Sequence, residues 1–206
     1  EELPAARTTP EVMVSPLLPS VMLAAQSVQA WVIGPGIGHQ NKDRAANLQQ
    51  LINHATCPVV LDADALNTAA ERGWTFRSNH ILTPHPGEMK RLLAVDGRRR
   101  DIVQRFLEAH PCTLLLKGAR SIIADRSNCY YNASGGPFMA NGGQGDVLAG
   151  TIGALAAQGL SPLRAAALGA YACGRAAEVA LTTAGYPPAI RAGQVIDHLQ
   201  EALAAC

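Results

Sequence analysis

The segment 141–146 contains the residues best suited to chemistry, because its Asn-Gly-Gly-Gln-Gly-Asp sequence places a carboxylate directly before an apolar helical run. A helix start presents unpaired N–H groups and the positive end of the helix dipole, which bind anions such as phosphate. Gly143 and Gly145 allow close backbone approach to a ligand, and Asp146 supplies a potential general base. The segment predicts chemistry on a phosphate, although an ordinary capped helix has the same features.

Further polar loops follow apolar runs that are typical of strands. They comprise residues 34–38, 62–64, 83–88 and 117–121. Because ligands of doubly wound α/β proteins bind at the carboxyl ends of the strands, we expect these loops to line one crevice.

Each of these loops also has a simpler interpretation. The glycines of 34–38 suit a tight turn, and they do not complete the dinucleotide-binding glycine pattern. Asp62 and Asp64 suit a helix cap, and Glu88 suits the positive end of a helix dipole. His85 stands between two prolines, which favours a hydrogen-bonded loop residue held in one place. Lys117 suits either the protein surface or a phosphate contact.

Short apolar runs alternate with helical patterns along the chain, as a largely parallel sheet requires. The predicted strands are 30–33, 58–62, 80–83 and 113–117, followed by an antiparallel pair at 121–125 and 129–132. The predicted helices are Lys42–His54, 63–72, 86–94 and 101–110, then two alanine-rich helices within 146–184 that are broken at 159–162, and a last helix over 194–204. The pattern predicts an α/β fold.

Composition narrows the class of protein. A chain of 206 residues with 48% apolar content predicts one domain over residues 1–206. The formal net charge is +1, and the only basic run, 98–100, is short and precedes Asp101, so we expect a solvated loop and no nucleic-acid partner. The 5 cysteines are scattered, which favours a reducing cytoplasm over a disulfide framework. No stretch has the length and apolarity of a membrane span or a signal peptide.

The ordered set of motifs resembles that of the ADP/ATP-dependent NAD(P)H-hydrate dehydratases, from about residue 10 to the C-terminus. The motifs are Gly-Pro-Gly-Ile-Gly at 34–38, Leu-Asp-Ala-Asp-Ala-Leu-Asn at 61–67, Leu-Thr-Pro-His-Pro-Gly-Glu at 82–88, Leu-Lys-Gly at 116–118 and Gly-Gln-Gly-Asp-Val-Leu-Ala-Gly at 143–150. The resemblance implies a ribokinase-like, three-layer α/β/α fold with a mostly parallel central sheet. It also implies an enzyme that returns hydrated NADH and NADPH to NAD(P)H by phosphorylating the ring hydroxyl and eliminating phosphate.

The resemblance assigns roles to individual residues. Asp146 would be the general base, and it would contact the hydrated dinucleotide together with Gly38, His85, Asp64 and Asn67. The nucleotide site would comprise Lys117, Gly118, Ala119, Arg120, Ser121, Gly143 and Gly145. The implied co-substrate is ADP or ATP with Mg²⁺, whose protein ligands the sequence does not identify.

The chain departs from the family pattern in two ways. Gln144 stands where the family carries Thr or Ser. The family also has an additional N-terminal strand and helix before the part that this chain resembles, so a sheet edge is expected to be open. An open edge favours association, and we expect a homo-oligomer.

Two other functions fit the same motifs. One is a vitamin-precursor kinase of the ribokinase superfamily, which typically has Asn at the position of His85. The other is a nucleotide-binding descendant without catalytic activity, for which Asp146 would have no use.

Overall fold

The central sheet follows the order of the chain. The computed structural model describes residues 28–38, 42–185 and 188–205, and within these ranges six strands are arranged in the order β1 to β6. They are β1 (Trp31–Ile33), β2 (Val59–Leu61), β3 (His80–Leu82), β4 (Thr113–Leu116), β5 (Ile122–Ala124) and β6 (Cys129–Tyr131). The first four are parallel, and β5 and β6 are each antiparallel to the preceding strand. This agrees with the predicted mostly parallel sheet and its antiparallel pair.

The helices of the same ranges are α1 (Lys42–His54), α2 (Asp64–Arg72), α3 (Pro86–Leu92), α4 (Arg99–Ala109), α5 (Gln144–Ala157), α6 (Pro162–Thr183) and α7 (Ala192–Ala204). A short 3₁₀ turn (Pro137–Met139) precedes α5. Every one of the predicted helices is present. The break between α5 and α6 lies where the glycine and proline predict it.

Helices cover both faces of the sheet because successive strand residues point to opposite sides. Val59 and Leu61 pack into a cluster with Leu66 of α2 and Phe106 of α4. Val60, between them, packs on the other face in a cluster with residues of α5 and α6. The three-layer α/β/α arrangement is therefore confirmed, and α7 joins it by packing on α6.

Several helix boundaries differ from the prediction. α4 begins at Arg99 rather than 101, so the prediction of a loop over 98–100 was wrong for Arg99 and Arg100. Arg100 is exposed, whereas Arg99 is only partly exposed and donates hydrogen bonds to the loop after β4. α5 begins at Gln144 rather than 146. Asp62 and Asp64 do not cap α2, since its cap residue is Ala63 and no side chain bonds there.

Two further sequence predictions concern the whole chain, of which the structure describes only a part. No helix within them has the length and apolarity to cross a membrane. The prediction of one domain over 1–206 includes residues 1–27, 39–41, 186–187 and 206, which lie outside the described residues. That prediction stays a prediction.

Candidate active site

A cluster of charged side chains is buried at the carboxyl ends of the parallel strands. Lys117 Nζ donates to Asp62 Oδ1 at 2.7 Å and lies 3.9 Å from Glu88 Oε2. The Asp62 and Glu88 residues are only 1% and 5% exposed. Charges are seldom this buried unless they are paired, so the cluster is a candidate for function rather than a surface salt bridge.

The three members of the cluster follow three different strands, and Glu88 lies in the first turn of α3. Asp62 follows β2 directly, and Lys117 follows β4 directly. The Lys117 N–H donates to the Pro84 carbonyl at 2.8 Å, which joins the loop after β4 to the loop after β3. Parallel pairing thus brings together residues that are 55 positions apart in the chain.

His85 is held by the start of α3. Its Nδ1 accepts hydrogen bonds from the N–H groups of Gly87 and Glu88, at 2.9 and 3.3 Å. The His85 N–H in turn donates to Glu88 Oε2 at 2.7 Å, which completes a capping box. Because Nδ1 is an acceptor, the neutral ring carries its proton on Nε2, which lies 3.5 Å from Glu88 Oε1. The ring is half exposed and fixed in orientation.

The glycine loop after β1 lies against the loop after β2. Gly34 has φ +133°, and a Cβ added there would lie 1.7 Å from the Asp62 carbonyl oxygen, so only glycine fits. Gly38 N–H donates to Asp64 Oδ2 at 2.8 Å. Asn67 is one turn further along α2, and its Oδ1 accepts from Arg91 at 2.9 Å.

The glycine turn before α5 closes the cluster from the other face of the sheet. Gly143 precedes the helix in the left-handed region at φ +85°. A Cβ on Gly145 would lie 3.4 Å from Asp62 Oδ2 and 3.5 Å from Lys117 Nζ. The positive end of α5 and the Lys117 ammonium therefore lie side by side, which favours an anion at this point.

Asp146 occupies the first turn of α5 and is exposed. It also lines the rim of a groove of about 510 Å³ between α5 and α7, whose other walls include Ala154, Leu199 and Leu203. A carboxylate here is open to a ligand that binds beside the glycine turn.

Gln144 connects the glycine turn to the segment before α7. Its Nε2 donates to the Ile190 carbonyl at 2.8 Å and to Asn141 Oδ1 at 3.3 Å. Asn141 Nδ2 donates to the same carbonyl at 2.8 Å. The residue that departs from the family pattern thus links the turn to Ile190 through its side-chain amide.

The loop after β4 has an irregular backbone. Gly118 has φ +137° and Arg120 has φ +52°, and Ser121 Oγ donates to the Gly118 carbonyl at 3.1 Å. Arg99 donates to the carbonyl of Ala119 at 2.7 Å. The predicted nucleotide-binding residues 117–121 are therefore consecutive parts of one braced loop beside the cluster.

The structure brings the loops after β1 to β4 to one edge of the sheet, as the sequence predicts. Asp62 and Glu88 belong to these loops, but the sequence indicated no site role for them and offered a helix end as the simpler interpretation. Both lie in the buried cluster. The signal that identifies Asp62 is its position directly after a strand whose neighbours also carry polar loops. Glu88 lies in α3 and has no such signal. No group of three or more His, Cys, Asp or Glu side chains within the described ranges is arranged to hold a metal ion.

The family that this chain matches is consistent with the geometry of the candidate site. The Carb_kinase family model, described as NAD(P)H-hydrate dehydratase, matches residues 2–201. The chain belongs to the NAD(P)H-hydrate dehydratase family.

Relatives of this family are longer than the chain. The ADP-dependent (S)-NAD(P)H-hydrate dehydratase of Neisseria meningitidis serogroup B is 39% identical over 181 residues, which is 82% of this chain and 61% of that protein. The bifunctional NAD(P)H-hydrate repair enzyme Nnr of Moorella thermoacetica is 41% identical over 183 residues, or 84% of this chain and 34% of the relative. The chain thus spans between a third and two thirds of their lengths.

Solved structures of the family share the fold. The ADP/ATP-dependent NAD(P)H-hydrate dehydratase from Bacillus subtilis, co-crystallised with ATP/Mg²⁺, superposes with a TM-score of 0.71 at 28% identity, over 89% of this chain and 69% of that one. A ribokinase-like superfamily protein from Enterococcus faecalis has a TM-score of 0.78 at 22% identity, over 90% of this chain and 66% of that one. The predicted ribokinase-like fold is confirmed.

Proposed function

We propose that this dehydratase-family chain converts hydrated NADH and NADPH to NAD(P)H at the expense of ADP or ATP. One observation carries the proposal: Gly145, at the positive end of α5, lies against the Lys117–Asp62 pair, with Asp146 in the same helical turn. An anion site and a general base are thus adjacent, as phosphorylation of a hydroxyl requires. The names of the Neisseria and Bacillus relatives supply the substrate and the nucleotide.

In the proposed reaction Asp146 removes the proton of the ring hydroxyl, and the hydroxyl oxygen attacks the terminal phosphorus of the nucleotide. A phosphate ester forms, and the shortened nucleotide leaves. The ester C–O bond then breaks to release inorganic phosphate, and loss of a ring proton completes the C=C double bond. The N–H groups of the glycine turn stabilise the charge on the transferring phosphoryl group.

We assign the nucleotide to Lys117, Gly118, Ala119, Arg120 and Ser121 together with Gly143 and Gly145. We assign the hydrated dinucleotide to Gly38, His85, Asp64 and Asn67 beside Asp146. The fixed Nε2–H of His85 offers a donor to this substrate, and its hydrogen-bonded ring loses little freedom on binding.

Magnesium fits the donors present. Mg²⁺ binds to substrate phosphates, water and one or two carboxylates, and Asp62 and Glu88 are the carboxylates beside Lys117. When bound, the ion would neutralise the charge of the nucleotide phosphates.

The deciding assay follows the recovery of the near-ultraviolet absorbance of reduced nicotinamide. Hydrated NADH is mixed with the protein, Mg²⁺ and either ADP or ATP. We expect recovery with at least one nucleotide, and a decrease in rate of about 10² to 10⁴ for Asp146→Asn. Asp197→Asn, which alters another exposed acidic residue on a helix, is the matched control and should keep the wild-type rate.

The two alternative functions, a vitamin-precursor kinase and a non-catalytic nucleotide-binding protein, give different results in this assay. Consumption of nucleotide with a vitamin-precursor alcohol, without recovery of absorbance from the hydrate, indicates the kinase. Nucleotide binding without turnover of either substrate indicates the non-catalytic descendant. Either result overturns the proposal.

We also propose that the chain acts in the cytoplasm as a homo-oligomer. β1 is an edge strand of the described sheet, Val32 is 40% exposed on it, and Ile196 is 56% exposed beside the groove of α5 and α7. Apolar surface next to an open edge favours association. Sedimentation at micromolar concentration tests this, and a monomer would contradict it.

A further inference from the structure

Arg99 reaches from the first turn of α4 to the loop after β4. Its Nη1 donates to the Ala119 carbonyl at 2.7 Å, and its Nη2 donates to the carbonyls of Leu116 and Lys117 at 2.9 and 3.2 Å. A guanidinium is planar and presents its donors in a fixed fork, so it fixes the directions of the peptide groups that it bonds.

The bonded carbonyls determine where the neighbouring N–H groups point. In a trans peptide the C=O and the following N–H point in opposite directions. The N–H groups of Lys117, Gly118 and Arg120 therefore point away from Arg99. The first donates to the Pro84 carbonyl, whereas the other two donate no hydrogen bond within the part of the chain that the structure describes. These two amides are available to an anionic ligand.

The loop needs this external support. Arg120 has φ +52°, in a region that residues other than glycine seldom occupy. A Cβ on Gly118 would lie 3.2 Å from Arg99 Nη2, so the guanidinium and the glycine are in close contact. The conformation of the loop and the position of Arg99 therefore depend on each other.

We propose that Arg99 is a positioning residue for a nucleoside diphosphate or triphosphate. It holds the amides of Gly118 and Arg120 towards the anionic groups of the nucleotide, on the same loop as Lys117. This inference rests on the proposed function, because it assumes that residues 117–121 bind the nucleotide.

The chain contains its own controls. Arg98 and Arg100 flank Arg99, and both are exposed. Arg98 pairs with Asp101 at 2.8 Å. Arg98→Met and Arg100→Met therefore remove the same charge from the same turn without touching the loop.

The test measures the Kd of ADP and ATP by calorimetry with Mg²⁺ and the nucleotide KM and kcat for all variants, with thermal unfolding measured alongside. We expect Arg99→Met to raise the nucleotide Kd and KM by about tenfold to a hundredfold, since small misplacements at a site have effects of this size. Arg99→Lys should fall between Arg99→Met and wild type, because an ammonium cannot fork between carbonyls. The two control variants should bind like wild type.

A purely structural role would change the unfolding temperature but not the Kd. Should Arg99→Met fail to fold, Arg99→Lys carries the test, and it is expected to weaken nucleotide binding. Wild-type affinity in folded Arg99 variants would overturn the inference and leave the proposed function intact. Absence of nucleotide binding by the wild-type protein would remove the proposed function, and this inference with it.

Discussion

The two ends of the parallel strands bury polar groups in opposite ways. At the carboxyl end, Lys117 is paired with Asp62, and both nitrogens of the His85 ring face a partner. At the amino end, His80 is completely buried and its Nε2 has no hydrogen-bond partner within the described residues. Burial and the nearby Arg77 charge lower the pKa of His80 to about 4, so its ring is neutral.

Aromatic rings pack against the histidines of the amino end. Phe76 lies edge-on to His80 at 6.3 Å and to His110 at 5.2 Å between ring centroids. Burial also lowers the pKa of His110. Burial alone therefore does not mark a functional polar residue, because the buried histidine at one end is neutral, whereas the side chains at the other end form an ion pair that a ligand can use.

We expect the largest effect on stability and nucleotide binding from the loss of Lys117. Lys117→Met leaves two buried carboxylates without their cation, and removing one partner of a buried ion pair destabilises a protein by about 3 kcal/mol or more. We expect this loss in urea unfolding, together with loss of nucleotide binding. Adding Asp62→Asn should recover stability without recovering binding. A single-variant loss below about 1 kcal/mol would show that the cluster behaves like an exposed salt bridge.

The second prediction concerns pH at the amino end. The folded pKa of His80, about 4, is below the ordinary 6.5, so the unfolded chain binds more protons between these values and stability rises with pH through this window. The contribution is complete above pH 6.5 and is lost as pH falls towards 4, by about 3 kcal/mol at most. Urea unfolding from pH 7 to pH 4 measures it. His80→Gln should flatten the dependence, and an unchanged slope would exclude His80 as its origin.

The smallest effect is expected at the glycine turn. Gln144→Thr removes the hydrogen bond to the Ile190 carbonyl, which Asn141 still satisfies, and should destabilise the protein by about 1 kcal/mol. Gln158→Thr, near the other end of α5 and on its exposed side, is the control and should cost less. Equal losses in the two variants would show that the Gln144 amide contributes no specific support to the turn.

Local signals predicted most of the fold. Pro86 opens α3 at the predicted residue, Pro162 at the end of the predicted break opens α6, and Gly73 ends α2 at φ +63°. These signals act within a few residues, so the sequence contains them directly. The boundary of α4 was missed because Arg99 joins the helix while bonding a loop whose position depends on the sheet.

The candidate site was predictable only where signals within a few residues mark it. Gly145, Asp146 and Lys117 stand out through their immediate neighbours. The pairing of Lys117 with Asp62 joins loops that meet only after β2, β3 and β4 have aligned, and nothing near Glu88 in the sequence shows that it is buried. Contacts of this kind depend on the register of the strands rather than on local composition.

Among the described residues each strand of the sheet pairs with the one before it in the chain, so the strands can pair in the order in which a ribosome delivers them. A nascent chain can therefore complete the edge that carries Asp62, Glu88 and Lys117 before α5 and α6 have emerged. Until then Val60, Ile81 and Leu115 face outward on the uncovered side of the sheet, the surface that those helices later bury. The helix that carries Asp146 thus also helps to cover, together with α6, an apolar face that favours aggregation while it is exposed.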